Sequence, residues 1–301
     1  MTSTTSESTD EPANAVGTVL VTGATGKTGR HVASFLRERG VDVRAASRHP
    51  APEDPQSVIF DWARPETYAP AVAGADRIYL VQPAGVTDAS AQVTDFLARA
   101  RTAGAQGVVL LSALGVDLAG EELGFRKVER AVMGSGLEWT ILRPNWFMQN
   151  FTTGFWLPTI AGRDEIPAPA GDAAVSFIDT RDIAAVATTA LAQPGHAGRE
   201  YTLTGGAALS FPAVAETISD VVGRPVRHVD VTDDQMRDVI RGEGLPSDYA
   251  EGLLGLFQGI RAGWNSFVTD VVPAVTGRAA IPFADYAKDH AEHWGPTEEA
   301  R

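Results

Sequence analysis

The 301-residue chain contains no cysteine. Disulfides, thiolate metal sites and a cysteine nucleophile are therefore excluded, and a reducing cytoplasm suits such a chain. Basic residues are few: 25 Lys and Arg stand against 38 Asp and Glu, for a formal net charge of −13. Phosphate backbones and anionic membranes are held by clustered Lys and Arg, so neither nucleic acid nor membrane is expected as a partner. No apolar run approaches the roughly 20 residues needed to span a bilayer, and no internal repeat of fixed period is present. Residues 1–16 hold three acids, no Lys or Arg and no apolar centre, which reads as a disordered tail and not a signal peptide. His290 and His293 lie three apart near the end of the chain; a solvated helix face accounts for them, and no metal site is expected.

What is present is organised around residues 18–48. An apolar strand (Val19-Leu20-Val21) runs into the turn Thr22-Gly23-Ala24-Thr25-Gly26-Lys27-Thr28-Gly29, then a helix with Val32, Phe35 and Leu36 on one face, then a second strand ending at Ser47-Arg48. Gly23 permits the tight turn, Gly26 lets backbone N–H groups approach a pyrophosphate, and Gly29 lets the helix lie close to the sheet. The helix N-terminus adds unpaired N–H groups and a positive dipole end. A carboxylate at the end of the second strand would bind a ribose 2′-hydroxyl; Ser47 and Arg48 stand there instead and favour a 2′-phosphate, hence NADPH over NADH.

Further strands are expected at residues 58–60, 77–81, 107–111 and 139–142, alternating with helices. The economical arrangement is an α/β doubly wound parallel sheet, because right-handed crossovers place helices on both faces. Asp61 ends the third strand and either contacts adenine or caps the next short helix. Gln82 and Pro83 end the fourth and should lie beside the nicotinamide, and Ser112 ends the fifth. Val86, Ala89, Val93, Phe96, Leu97 and Ala100 have helical spacing and read as core. Beyond Pro144 the texture changes to an aromatic stretch with Trp146, Phe147, Phe151, Phe155 and Trp156, serving either as a stacking platform for a flat ligand or as core at a domain junction. Residues 166–171 read as a loop, 175–178 as a short strand, and Asp179, Thr180 and Asp182 as helix-start residues. Ser210 is expected to cap a helix through Val222. The resulting division is a tail (1–16), a dinucleotide-binding domain (17–150) with sheet-completing segments from 175–205, a substrate-binding cap (151–293), and a second tail (294–301).

The glycine turn, the Ser112-Ala113-Leu114-Gly115 turn, Gly136-Leu137-Glu138-Trp139-Thr140-Ile141-Leu142-Arg143-Pro144-Asn145-Trp146-Phe147, and Phe177-Ile178-Asp179-Thr180-Arg181-Asp182-Ile183-Ala184 together resemble the NmrA-like atypical short-chain dehydrogenase/reductase family. Within it the chain is similar to the NAD(P)H azoreductase and quinone reductase-like branch, which includes ergot-alkaloid-type reductases. The resemblance covers roughly residues 17–293. It implies a Rossmann domain with a small C-terminal substrate domain, and NADPH lying along Gly23, Ala24, Thr25, Gly26, Lys27 and Thr28, with Ser47, Arg48, Asp61, Gln82, Pro83 and Ser112. A small aromatic quinone-, azo- or imine-like substrate would sit near Phe125, Asn145, Trp146, Phe147 and Asn150, in a cytoplasmic monomer or homodimer.

Ordinary short-chain dehydrogenases donate a proton from a Tyr-x-x-x-Lys pair. Thirteen residues past Ser112 this chain has Phe125, and four further on Glu129; neither performs the expected role. Lys127 is turned about 200° around the helix from Phe125 and faces away. One reading is a reductase whose acceptor needs no strong enzymic acid, with water or the Ser112 hydroxyl giving the last proton. A second is an NADP(H)-binding sensor without turnover, and a third is a non-redox enzyme on the same fold.

Overall fold

A computed structural model describes residues 17–242 and 247–295; the expected tail over residues 1–16 lies outside the described residues. The first half runs β1 (Val19–Thr22), α1 (Gly29–Glu38), β2 (Val43–Ser47), β3 (Ser57–Ile59), α2 (Tyr68–Val72), β4 (Arg77–Val81), α3 (Ser90–Thr102), β5 (Gly107–Leu111), α4 (Gly124–Met133) and β6 (Glu138–Pro144). The second continues α5 (Leu157–Arg163), β7 (Glu165–Ala168), β8 (Ala174–Val175), α6 (Thr180–Ala192), β9 (Arg199–Leu203), β10 (Leu209–Ser210), α7 (Phe211–Val222), β11 (Arg227–Asp230), α8 (Asp233–Gly242), α9 (Ser247–Arg261), α10 (Val271–Thr276) and α11 (Phe283–Asp289).

Seven strands form one sheet in the order β3-β2-β1-β4-β5-β6-β9, every neighbouring pair parallel. Strands as apolar as β1 and β5 require cover on both faces. On one face α1 and α6 bury Val32, Leu36, Ile183 and Val186 against Val21 and Tyr79. On the other, Tyr68, Phe96 and Val128 from α2, α3 and α4 pack against Leu20, Ile78 and Leu110. Asp179 begins α6, its carboxylate accepting from Arg181 N, and Ser210 caps α7 by accepting from Ala213 N.

The cap has its own aromatic core, with Phe151, Trp156, Phe177, Phe211 and Phe257 buried together. Several expectations need correction here. Val86 is 38% exposed, because the chain leaves β4 in a loop and α3 begins only at Ser90. Of residues 166–171, read as loop, the first three belong to β7, which pairs in parallel with β11; Pro167 is tolerated in so short an edge pair. Trp294 is not tail. It is fully buried in the cap core and donates Nε1–H to Phe151 O at 2.7 Å. Segment 271–276, assigned to the cap, instead packs on α6 through buried Val272.

Candidate functional site

Because every strand of the main sheet points the same way, the turns after β1, β2, β4, β5 and β6 emerge at one edge. Ligands of open parallel sheets bind at that edge. Thr22 fixes where the first turn begins: its hydroxyl donates to Tyr79 O at 3.0 Å and accepts from Val81 N at 2.8 Å. Gly23 then takes φ +61°. Gly29 must remain glycine, because a Cβ there would lie 2.2 Å from Gly23 O. Gly26 N donates back to Gly23 O at 2.8 Å, while the N–H groups of Thr25, Lys27 and Thr28 meet no protein acceptor among the described residues. Free N–H groups at the head of α1 form a cradle for an anion such as pyrophosphate. These residues fit a dinucleotide.

Lys27 reaches across the edge, donating from Nζ to Asn150 Oδ1 at 3.3 Å. Burial, then neighbouring Arg30, lowers its pKa. Ser47 is buried and its carbonyl accepts from Phe60 N at 2.9 Å. Arg48 beside it is exposed and has no side-chain partner among the described residues. Asp61 Oδ1 accepts from Ala63 N at 3.0 Å within a turn and does not cap the helical turn that follows, whose N-cap is Arg64. Gln82 and Pro83 are half-buried at the end of β4.

Ser112 closes β5 and is 7% exposed. Its hydroxyl donates to Glu129 Oε1 at 2.6 Å. Glu129 is fully buried and bound by Arg143 through Nε and one terminal nitrogen, both at 2.8 Å, and by Arg126 at 2.9 Å. Burial acts to raise the Glu129 pKa, but Arg143, Ser112 and Arg126 outweigh it and hold the carboxyl below its ordinary value. Arg143 also meets Glu200 at 2.6 Å. The position where ordinary short-chain dehydrogenases have a lysine is thus an ionised carboxylate locked to Ser112. Sequence reading missed this network. Its signals were an arginine inside the apolar strand Ile141-Leu142-Arg143 and a glutamate between Val128 and Val132 on the buried face of α4. Lys127 pairs with Asp88 and Glu122 on the outside, as expected.

Two expected substrate residues are engaged elsewhere. Asn145 is 2% exposed; its amide donates to Ser176 Oγ and Asn265 O and its oxygen accepts from Trp146 N and Asn265 Nδ2, so no hydrogen-bonding capacity remains for a ligand. Trp146 stacks on Trp156 at 5.9 Å within the cap core. Phe125, Phe147 and Asn150 stay half-buried at the strand edge. The Asn145–Asn265 clamp also draws in a segment that sequence reading passed over, on which Trp264 and Phe267 are 72% and 44% exposed. His290 stacks on Tyr286 at 4.3 Å, with Nδ1 3.0 Å from Tyr286 O. No described helix is long and apolar enough to cross a membrane.

This sheet order with a glycine cradle at the head of α1 defines a nicotinamide-dinucleotide-binding α/β protein. A family model described as NAD(P)H-binding matches residues 23–194, and the chain belongs to that family, within its NmrA-like atypical short-chain dehydrogenases. It is 37% identical over 277 residues to the uncharacterized oxidoreductase YesF of Bacillus subtilis (strain 168), covering 92% of this chain and 96% of that protein. It is 35% identical over 288 residues to the NAD(P)H azoreductase of Xenophilus azovorans, covering 92% and 99% respectively. Its fold is similar to that of the Citrobacter sp. triphenylmethane reductase complexed with NADP(H), with a TM-score of 0.70 and 21% identity over 91% of this chain and 99% of that one. The protein is an NAD(P)H-dependent reductase.

Proposed function

We propose that this reductase uses NADPH and passes hydride to a small, flat aromatic acceptor of quinone, azo or imine type. The observation that carries the cofactor preference is Arg48, exposed and unpaired among the described residues where β2 ends. Its guanidinium is free to hold a 2′-phosphate in two hydrogen bonds and to stack on adenine. NADPH, when bound, supplies the hydride. The chain's part is to hold the pyrophosphate on the cradle of residues 23–28, with Lys27 tying that loop to Asn150, and to present apolar faces at Phe125 and Phe147. The named azoreductase relative supports an aromatic acceptor.

The experiment is the decay of nicotinamide absorbance with NADPH, and separately NADH, each with and without a quinone, an azo dye and a cyclic imine. Acceptor-dependent decay faster with NADPH is expected. Equal rates with both dinucleotides would remove the role given to Arg48. Tight NADPH binding with no decay for any acceptor would refute the choice of acceptors.

A further inference from the structure

The hydroxyl of Ser112 has one hydrogen, and its neighbours decide where that hydrogen points. Glu129 Oε1 is 2.6 Å away, and the same carboxylate is gripped by Arg143 and Arg126. A carboxylate held by two guanidiniums accepts hydrogen bonds and gives none. The Ser112 proton therefore lies on the line to Glu129. Two lone pairs of Oγ remain, and no group among the described residues donates to them.

We propose that Glu129 is a positioning residue that fixes Ser112 as a hydrogen-bond acceptor, and that the matching substrate is N-protonated: a C=N or N=N bond whose N–H⁺ donates to Ser112 Oγ. This rests on the reductase reading above and narrows it. A quinone carbonyl gains negative charge as it is reduced and needs a donor aimed at its oxygen; Ser112 held in this way offers lone pairs instead. An N-protonated double bond has no such need. Hydride forms a bond to the atom away from the N–H, the π pair moves onto nitrogen as a lone pair, and the positive charge is cancelled. The acceptor gains two electrons, NADPH becomes NADP⁺, and the N–H proton stays in place, so no acid is consumed. That balance suits a site with Phe125 where ordinary short-chain dehydrogenases have their tyrosine. The surrounding charge has the same sense: Asp117, Glu121, Glu129 and Glu200 outnumber Arg126, Arg130 and Arg143 in the connected network.

The test uses the full chain with saturating cofactor and two acceptors, 1-methyl-3,4-dihydroisoquinoline, cationic at neutral pH, and menadione. A second readout is calorimetric binding of the ammonium ion of 1,2,3,4-tetrahydroisoquinoline to the protein saturated with NADP⁺. Loss of one charge-assisted hydrogen bond predicts that Ser112→Ala lowers kcat/KM for the imine by about 10- to 100-fold, weakens the ammonium ion by a similar factor, and lowers kcat/KM for menadione by a clearly smaller factor. Ser112→Thr, which keeps the hydroxyl, should restore the imine rate. Glu129→Gln, which frees the Ser112 proton, should shift preference from imine toward menadione. Because that variant leaves two arginines short of a partner, Ser112→Ala alone is sufficient to decide. A wild-type protein that reduces menadione but not the imine, a Ser112→Ala loss shared equally by both acceptors, or a fall in NADPH affinity with ammonium binding unchanged would each overturn the proposal. If neither acceptor is reduced, the choice of acceptors fails, and ammonium binding still judges Ser112: a loss in Ser112→Ala supports its acceptor role, and no loss overturns it.

Discussion

Removing the guanidinium of Arg143 should unfold the protein more easily than any surface change. Its side chain is 3% exposed, and it faces the fully buried Glu129 carboxylate. Arg143→Met keeps most of the volume and removes the charge. Glu129 then retains Arg126 and Ser112 but loses its two 2.8 Å bonds to Arg143. Breaking one side of a buried pair costs about 3–5 kcal/mol. For a chain of this size each kcal/mol lowers Tm by about 2–4 °C, so a fall of about 10 °C is expected. The assay is urea unfolding, in which the midpoint falls at unchanged slope. Glu129→Leu combined with Arg143→Met should cost no more than about 2 kcal/mol, since apolar residues of similar volume replace a buried pair with little penalty. Single losses that simply add in the double variant, or a single loss below about 1 kcal/mol, would show that the two side chains are not coupled. Acid supplies an independent check. The folded pKa of Glu129 lies below its ordinary value of 4.5, so its stabilisation is complete above that pH and is lost as pH falls through the folded value. The stability gap between wild type and Glu129→Gln should therefore narrow only below the ordinary value.

Arg48→Asp should weaken NADPH by about 10- to 100-fold through loss of a charge-assisted contact and spare NADH; equal losses in a binding titration would refute the assignment. Gly29→Ala places a Cβ 2.2 Å from Gly23 O, so the cradle must open, with about 1–3 kcal/mol of strain and loss of dinucleotide binding by calorimetry; unchanged affinity would show that the loop has slack. Trp294→Ala should cost about 3–5 kcal/mol in urea unfolding, the penalty for emptying a large core site, and a loss below 1 kcal/mol would place residue 294 outside the cooperative unit.

The sheet was readable because its signals are local. Apolar runs such as Val108-Val109-Leu110-Leu111 and the glycine spacing of residues 23–29 each specify a conformation without reference to distant residues, and parallel alternation leaves few topologies. The cap was harder. Pro167 and Pro169 argued for a loop, but pairing with β11, 62 residues away at Glu165 and Arg227, makes residues 165–168 a strand; tertiary context overrode local preference. Asn145 and Trp146 sat at the right point in the chain for substrate, yet whether a side chain at a strand end turns outward or inward depends on what packs there. For Asn145 the deciding partner is Asn265, 120 residues later.

The charge inversion at residue 129 belongs to the same class of non-local fact, and it constrains the chemistry. In ordinary short-chain dehydrogenases a lysine here lowers the pKa of a tyrosine one helical turn earlier and holds the ribose. In this chain a lysine at 129 would lie among Arg126 and Arg143 with its counter-charges, Asp117 and Glu200, gathered around Arg143. Three buried cations would meet in one place, a cost of several kcal/mol. Glu129 and Arg143 therefore have to change together, and so long as Arg143 occupies β6 the Tyr-Lys pair cannot be restored by substitution at 125 and 129 alone. The variant Phe125→Tyr with Glu129→Lys should accordingly lose stability and gain no carbonyl reductase activity, whereas adding Arg143→Met should recover part of the stability. A fully folded, active double variant with Arg143 intact would show that the buried carboxylate is dispensable and that the serine does not depend on it.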